Sequence, residues 1–148
     1  MSNSYTQNYI QFIFSTKRRE KILNEKYNEE LHKYIYIIAK DRKCKIYAIN
    51  NVEDHMHILV SLNPTYSISK FIKELKSLAS KFINEKGWYN TKFFWQEGYG
   101  AFSYSQSQVN TVIKYINNQK EHHHKKSFKE EYIEFLEKFQ IEYDEKYI

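Results

Sequence analysis

The fold of this chain is decided by the stretch Asp54-His55-Met56-His57-Ile58-Leu59-Val60. The pattern predicts a β-strand, in which residues i and i+2 point to the same face. The two histidines then project side by side, while Met56, Ile58 and Val60 point the other way, into a core. Two neighbouring imidazoles on a rigid strand supply part of a metal site, so the same stretch predicts both the fold and a candidate site.

Further strands and helices are predicted on both sides of this stretch. Alternating apolar residues predict strands over Tyr5 to Thr16, over Lys45 to Asn50 as a hairpin partner of the histidine strand, and over Phe93-Phe94-Trp95-Gln96 with Tyr99 to Tyr104. Helical spacing predicts a helix capped by Asn24, a second from Ser67 to Gly87, a third from Ser107 to about Lys120, and a last one after the capping box Ser127-Phe128-Lys129-Glu130.

The predicted order is β-α-β-β-α-β followed by two helices. This order is typical of the ferredoxin-like α+β fold that RNA-recognition modules share: an antiparallel sheet with two helices on one face, here with additional C-terminal helices. The 148 residues fit one domain, 1–148, without a long linker. Within it we expect a core over 1–104, a helix over about 107–120 and a C-terminal helix over about 128–140.

Composition narrows the class of protein. Residues 129–148 carry three lysines and seven acidic residues, whereas residues 1–128 carry 20 basic and 11 acidic residues. A basic body suggests a polyanionic partner such as nucleic acid, although solubility alone would also explain the charge. Cys44 is the only cysteine, which excludes an internal disulfide and a thiolate zinc cluster. Without a signal peptide or an apolar run of membrane-spanning length, we expect a cytoplasmic protein with no membrane partner.

The predicted third helix carries a second group of candidate residues. Val109, Val112, Ile113 and Ile116 form its apolar stripe, and Tyr115 lies to one side of it with Gln119 one turn beyond. Helix geometry alone favours Tyr115 as one amphipathic tyrosine among 14. The His55 and His57 pair has a plain alternative too, as histidines hydrogen-bonded within a sheet.

In combination, these motifs resemble the single-tyrosine HUH transposases of the insertion-sequence 200/605 family. The similar blocks are Phe14-Ser15-Thr16-Lys17, Asp54-His55-Met56-His57-Ile58-Leu59-Val60, Trp95-Gln96-Glu97-Gly98-Tyr99-Gly100-Ala101-Phe102-Ser103 and Val112-Ile113-Lys114-Tyr115-Ile116, with Gln119 one turn later. The resemblance implies a DNA transposase that cuts single-stranded DNA with hairpin ends and rejoins it. Such an enzyme forms a covalent 5′-phosphotyrosine intermediate.

The resemblance also implies a role for each candidate residue. Tyr115 is the nucleophile, and His55, His57 and Gln119 hold a divalent metal, for which Mg²⁺ and Mn²⁺ both remain open. It further implies a homodimer in which the tyrosine helix of one subunit acts on the histidine pair of the other, in the cytoplasm of a bacterial or archaeal cell. The sequence leaves open whether Tyr115 acts within one subunit or across two.

Basic and aromatic residues are candidates for DNA contact. They are Lys17, Arg18, Arg19, Lys70, Lys73, Lys81, Tyr99 and His122. A solvated helix face explains the three lysines at 70, 73 and 81 equally well. The run His122-His123-His124 does not predict a second metal site, because three consecutive helical residues splay around the axis.

Two other functions are compatible with the pattern. A rolling-circle replication initiator or relaxase shares the HUH chemistry but is usually larger. A ferredoxin-like nucleic-acid-binding module without chemistry fits the basic body, yet it leaves the histidine pair and the Tyr115 face unexplained.

Overall fold

The computed structural model describes residues 4–148, apart from the side chains of residues 122–124. In this part of the chain the strands are β1 (Tyr9–Ser15), β2 (Lys45–Asn51), β3 (His55–Ser61) and β4 (Gly100–Tyr104). The helices are α1 (Asn28–Asp41), α2 (Ile68–Lys86), α3 (Val109–Asn117), α4 (Gln119–Lys125) and α5 (Phe128–Lys138). Short 3₁₀ turns lie at 17–19, 25–27, 106–108 and 145–147. No helix among the described residues is long and apolar enough to cross a membrane.

The four strands form one antiparallel sheet in the order β2-β3-β1-β4. This order confirms the predicted ferredoxin-like α+β fold. In the register of β1 with β3, Ile13 lies opposite His57 and Ser15 lies opposite His55. The first strand begins at Tyr9, later than predicted, and Trp95 forms only an isolated bridge with Thr16, so the segment before Gly100 is not part of β4.

One face of the sheet packs against α1 and α2. Alternation along β1 turns Ile10, Phe12 and Phe14 to this face, where they join Met56, Ile58 and Val60 of β3 in a single buried cluster. As predicted, Ser67 caps α2 by accepting a hydrogen bond from the Lys70 N–H, and Gly87 ends it in a left-handed conformation with φ of 65°.

The opposite face, which carries the histidines, is covered by α3 and α5. Val109, Val112 and Ile116 of α3 pack on Ala48 and Leu59 of the sheet. Phe128 and Leu136 of α5 pack on Ile13 and Phe102. The capping box predicted at Ser127 is present, with Ser127 and Glu130 bonding each other's backbone, and it fixes where α5 begins. The histidine face is therefore an interior surface.

The prediction of one helix from Ser107 to Lys120 was wrong. The turn before α3 is capped by Ser105, α3 ends at Asn117, and Gln119 begins α4 after a break at Asn118. The break has a tertiary cause, because Nδ2 of Asn50 on β2 donates to the carbonyl oxygens of Ile116 at 3.0 Å and Asn117 at 3.3 Å. These carbonyls therefore bond to the sheet at the end of the helix.

Candidate active site

The two histidines lie side by side, as the strand pattern predicted, and the structure places both of them in the interior. His55 and His57 point to the same face of β3, with ring centroids 5.2 Å apart. Their side chains are 1% and 0% exposed. Phe128 of α5 packs against the ring of His55, and Phe135 packs against the ring of His57. The helix α5 thus covers the pair.

Each imidazole is oriented by a partner at its Nδ1 atom. Nδ1 of His55 lies 2.7 Å from Oδ1 of Asp54, and Nδ1 of His57 lies 2.8 Å from Oε1 of Gln11 on the neighbouring strand. A proton held at Nδ1 by an oxygen acceptor leaves Nε2 as the atom that faces a ligand, which is the usual arrangement behind metal-binding histidines. Gln11 was not predicted from the sequence, where its only signal was a polar residue within an apolar strand.

Both Nε2 atoms face the same carboxylate oxygen. Oε1 of Glu131 on α5 lies 2.9 Å from Nε2 of His55 and 3.2 Å from Nε2 of His57. One possible ligand atom from each of these three buried residues lies within 4.8 Å of the other two, so together they could hold a metal ion. Glu131 was not predicted from the sequence. The available signal was an acidic residue on the apolar stripe of α5, three residues after Phe128 and four before Phe135.

The predicted nucleophile reaches the same carboxylate. The hydroxyl of Tyr115 donates a hydrogen bond to Oε2 of Glu131, and the Tyr115 ring centroid is 5.9 Å from that of His57. A cavity of about 200 Å³ between α3 and α5 is lined by Tyr115, Gln11 and Tyr104 among others. The structure therefore brings Tyr115 and the histidine pair together within one chain, with a cavity beside the tyrosine.

Gln119 also joins the cluster, although it lies on α4 rather than on the helix of Tyr115. Its side chain is buried, and Nε2 lies 3.3 Å from Oε2 of Glu131 as a hydrogen-bond donor. Its Oε1 is buried and has no hydrogen-bond partner among the described residues. An orphaned buried acceptor is costly, and a cation beside it would satisfy it. The orphaned amide oxygen and the two imidazole Nε2 atoms are donor types that suit a divalent metal.

The charges in the cluster depend on one another. Burial by itself would lower the pKa of His55, but hydrogen bonds with Asp54 and Glu131 raise it to about 9. Burial would raise the pKa of Glu131, but hydrogen bonds from His55 and His57 hold it well below its usual range. Burial and the nearby Glu131 carboxylate raise the pKa of Tyr115. The structure thus favours a charged carboxylate beside protonated His55 and a protonated phenol.

The residues predicted to contact DNA lie in different places. Lys17, Arg18 and Arg19 form an exposed turn directly after β1, whose last residue Ser15 pairs with His55. By contrast, α2 packs on the other face of the sheet, so Lys70, Lys73 and Lys81 do not join the histidine cluster. Tyr99 is 36% exposed and its ring contacts Phe12. The side chain of His122 lies outside the described residues.

Comparison with known proteins identifies the family. Residues 4–119 match the family model of IS200-like transposases. The chain is 25% identical over 114 residues to the ISDra2 transposase TnpA of Deinococcus radiodurans R1, covering 72% of this chain and 80% of that relative.

Solved structures agree on the fold. A Deinococcus radiodurans R1 protein assigned as a transposase superposes with a TM-score of 0.63 at 21% identity, covering 80% of this chain and 95% of that one. A REP-associated tyrosine transposase bound to a REP hairpin gives a TM-score of 0.62 at 17% identity, covering 83% and 73%. With the match over 4–119, which spans most of the sequence, this chain belongs to the IS200-like transposase family.

Proposed function

We propose that this transposase cleaves and rejoins single-stranded DNA through a covalent bond to Tyr115. The observation that carries the proposal is the convergence of the Tyr115 hydroxyl with the Nε2 atoms of His55 and His57 around one buried carboxylate. Within the sheet this convergence follows from the i, i+2 spacing on β3. The tyrosine joins it because α3 packs on the same face.

The residues fit a divalent metal held by His55, His57 and Gln119. The two imidazoles are oriented through Nδ1, and the orphaned Oε1 of Gln119 supplies a hard oxygen donor. Mixed nitrogen and oxygen donors suit Mn²⁺, and Mg²⁺ remains compatible through its preference for oxygen. When bound, such an ion supplies Lewis-acid polarisation of a phosphate oxygen and orients it for attack.

The role of Tyr115 is nucleophilic. Its Oη forms a bond to phosphorus while the bond from phosphorus to the 3′ oxygen breaks. The phenol loses its proton in this step, and the 3′ oxygen gains one as it leaves as a hydroxyl group. The 5′ phosphate stays on the tyrosine. Because the phosphotyrosine keeps the phosphodiester energy, a 3′ hydroxyl can reverse the reaction and rejoin DNA without ATP. The cavity beside Tyr115 offers a side from which a phosphate could approach.

We propose single-stranded DNA with hairpin ends as the substrate. A neighbour of the same fold is bound to a REP hairpin, and the exposed turn of Lys17, Arg18 and Arg19 lies at the His55 end of the sheet, where it could contact a phosphate backbone. Lys70, Lys73, Lys81, Tyr99 and His122 stay predictions as further contacts. We also propose that residues 1–148 act as one domain, in the cytoplasm of a bacterial or archaeal cell.

A homodimer remains a prediction from the family resemblance. Since Tyr115 lies beside His57 of its own chain, the arrangement makes no demand for a partner's tyrosine. Mixing a Tyr115→Phe chain with a His57→Ala chain tests this directly. Recovery of cleavage in the mixture would indicate that the tyrosine acts across two subunits.

The central experiment is a cleavage assay on a 5′- or 3′-labelled hairpin oligonucleotide with Mn²⁺, resolved on a denaturing gel. The unaltered chain should give a covalent adduct that carries the 5′ phosphate side, and Tyr115→Phe should bind DNA without forming it. Tyr132→Phe, a partly buried tyrosine on α5, is the matched control and should keep the adduct. An undiminished adduct in Tyr115→Phe would place the nucleophile elsewhere. A single nick without strand transfer would favour a replication-initiator type of nickase.

A further inference from the structure

We propose that Glu131 is a further protein ligand of the metal held by the histidine pair. The inference rests on the metal site of the proposed function and adds to it a residue of α5. The helix lies beyond residues 4–119, the part of the chain that matches the family model, so the family match says nothing about this residue.

The position of the carboxylate is fixed by packing. Glu131 is 4% exposed, and its neighbours on α5, Phe128 and Leu136, are buried against Ile13 and Phe102 of the sheet. The capping box at Ser127 sets the start of the helix. A long acidic side chain on an exposed helix face would be free to sample many rotamers, whereas this one is held on the histidine face.

The carboxylate lies at the point on which both imidazoles converge. Its Oε1 is 2.9 Å from Nε2 of His55 and 3.2 Å from Nε2 of His57, while the opposite ring nitrogens already have oxygen partners. An atom that both Nε2 atoms face is a candidate to share a cation with them. Two imidazoles and one carboxylate form a donor set that binds divalent transition metals in other proteins.

Burial of this charge calls for a cation. Within the described part of the chain, the ion pairs of Glu131 are with His55 and His57, both of which are neutral when they bind a metal. A carboxylate that is 4% exposed is costly to bury unless a positive charge lies beside it. A divalent ion at the same place restores the balance, and the carboxylate oxygen shifts the donor set towards metals such as Mn²⁺ and Mg²⁺.

The second carboxylate oxygen connects the site to the nucleophile. Oε2 accepts hydrogen bonds from the Tyr115 hydroxyl and from Nε2 of Gln119 at 3.3 Å. One side chain of α5 therefore contacts both predicted histidine ligands, the predicted glutamine ligand and the tyrosine. Packing of α5 on the sheet would not by itself require its carboxylate to contact all of these polar side chains.

The test is metal binding to the full chain in the absence of DNA. Co²⁺ is titrated while its visible absorption is followed, and Mn²⁺ binding is measured by calorimetry. Glu131→Gln keeps the shape of the side chain but removes its charge. We expect it to weaken binding by at least about tenfold, the smallest loss typical when a residue that only orients a metal ligand is removed. Glu134→Gln, one turn along α5 with its carboxylate 2.6 Å from Lys126, is the matched control and should bind as the unaltered chain does.

Other outcomes separate this inference from the function on which it rests. The inference is overturned if Glu131→Gln binds the metal as tightly as the unaltered chain or more tightly. If His57→Ala does not bind in the same assay, the histidine site itself stays intact. No binding by the unaltered chain overturns the metal site itself. If Glu131→Gln does not fold, as judged by circular dichroism, Glu131→Asp keeps the charge on a shorter side chain. It should then show weakened binding with an altered Co²⁺ spectrum, and an unchanged affinity and spectrum would count against the inference.

Discussion

The hydroxyl of Tyr115 on α3 hydrogen-bonds to the carboxylate of Glu131 on α5, within a single chain. This contact joins the helix of the proposed nucleophile to a helix that begins nine residues beyond the family match. The orientation of the phenol is consequently set by how α5 packs on the sheet as well as by α3.

We expect Gln11→Leu to weaken metal binding by about 10–100-fold, the range typical of losing a residue that orients a metal-binding histidine. Oε1 of Gln11 lies 2.8 Å from Nδ1 of His57, and leucine cannot accept that proton, so the preferred tautomer and ring orientation are lost. Calorimetric titration with Mn²⁺ measures the effect. Gln7→Leu, in an exposed part of the chain before β1, is the control, and an affinity equal to that of the unaltered chain in Gln11→Leu would contradict the role of Gln11.

We expect Asn50→Ala to destabilise the chain by about 1 kcal/mol and to slow adduct formation. The Asn50 amide bonds the last carbonyls of α3, and this bond accompanies the break that sets Gln119 at the start of α4. Urea denaturation and the cleavage assay measure the two effects. Adduct formation at the unaltered rate would show that the position of Gln119 does not depend on this contact.

Local patterns in the sequence were sufficient for the fold but only for part of the site. Alternation along β1 and β3 and the caps at Ser67 and Ser127 are local signals, and the structure has the elements they predict. The adjacency of His55 and His57 follows from the two-residue period of a strand. The break before Gln119 could not be predicted from local patterns. Asn50, which bonds the end of α3, lies 66 residues before Ile116 in the sequence.

Two polar residues of the site could not be recognised from the sequence around them. Glu131 is one of seven acidic residues in 129–148, and in such a segment an acidic side chain is normally solvated. Gln11 lies between apolar residues of β1, and a polar residue there predicts a solvent-facing side of the strand. Both are interior residues because α3 and α5 cover the second face of the sheet, and this tertiary packing is not visible in the local pattern of β1. For Glu131 the one local signal was its position on the apolar stripe of α5.

We expect His32→Gln to reduce the loss of stability on acidification. Burial lowers the pKa of His32, although its hydrogen bond with Asn51, at 2.6 Å, acts in the opposite direction. The unfolded chain therefore binds more protons at this residue than the folded chain once the pH falls below the unfolded value near 6.5, and stability is lost over that range. Glutamine can still hydrogen-bond Asn51 but does not titrate.

The measurement is urea denaturation of both chains at pH 7.5 and pH 5.5. The other histidines contribute equally to both chains, so the difference between the two losses reports on His32. We expect the smaller loss in His32→Gln. Equal losses in the two chains would show that His32 titrates alike in the folded and unfolded states.

We expect Gly100→Ala to destabilise the chain by about 1–3 kcal/mol through overpacking beneath α5. A Cβ at this position would lie 2.9 Å from Cε2 of Phe102 and 3.1 Å from the hydroxyl oxygen of Tyr132. The Phe102 ring is buried against Phe135 and Phe139 and has little room to move, so α5 must shift. Because Glu131 precedes Tyr132 on that helix, the shift should also weaken Mn²⁺ binding.

A double variant isolates the cause. Tyr132→Phe removes the hydroxyl that the new methyl group would meet, so Gly100→Ala combined with Tyr132→Phe should recover part of the lost stability and part of the metal affinity. The stability and metal affinity of Tyr132→Phe alone complete the double-mutant cycle. If the two substitutions are additive, the cost of Gly100→Ala arises from Phe102 within β4, and α5 keeps its place above the histidine pair.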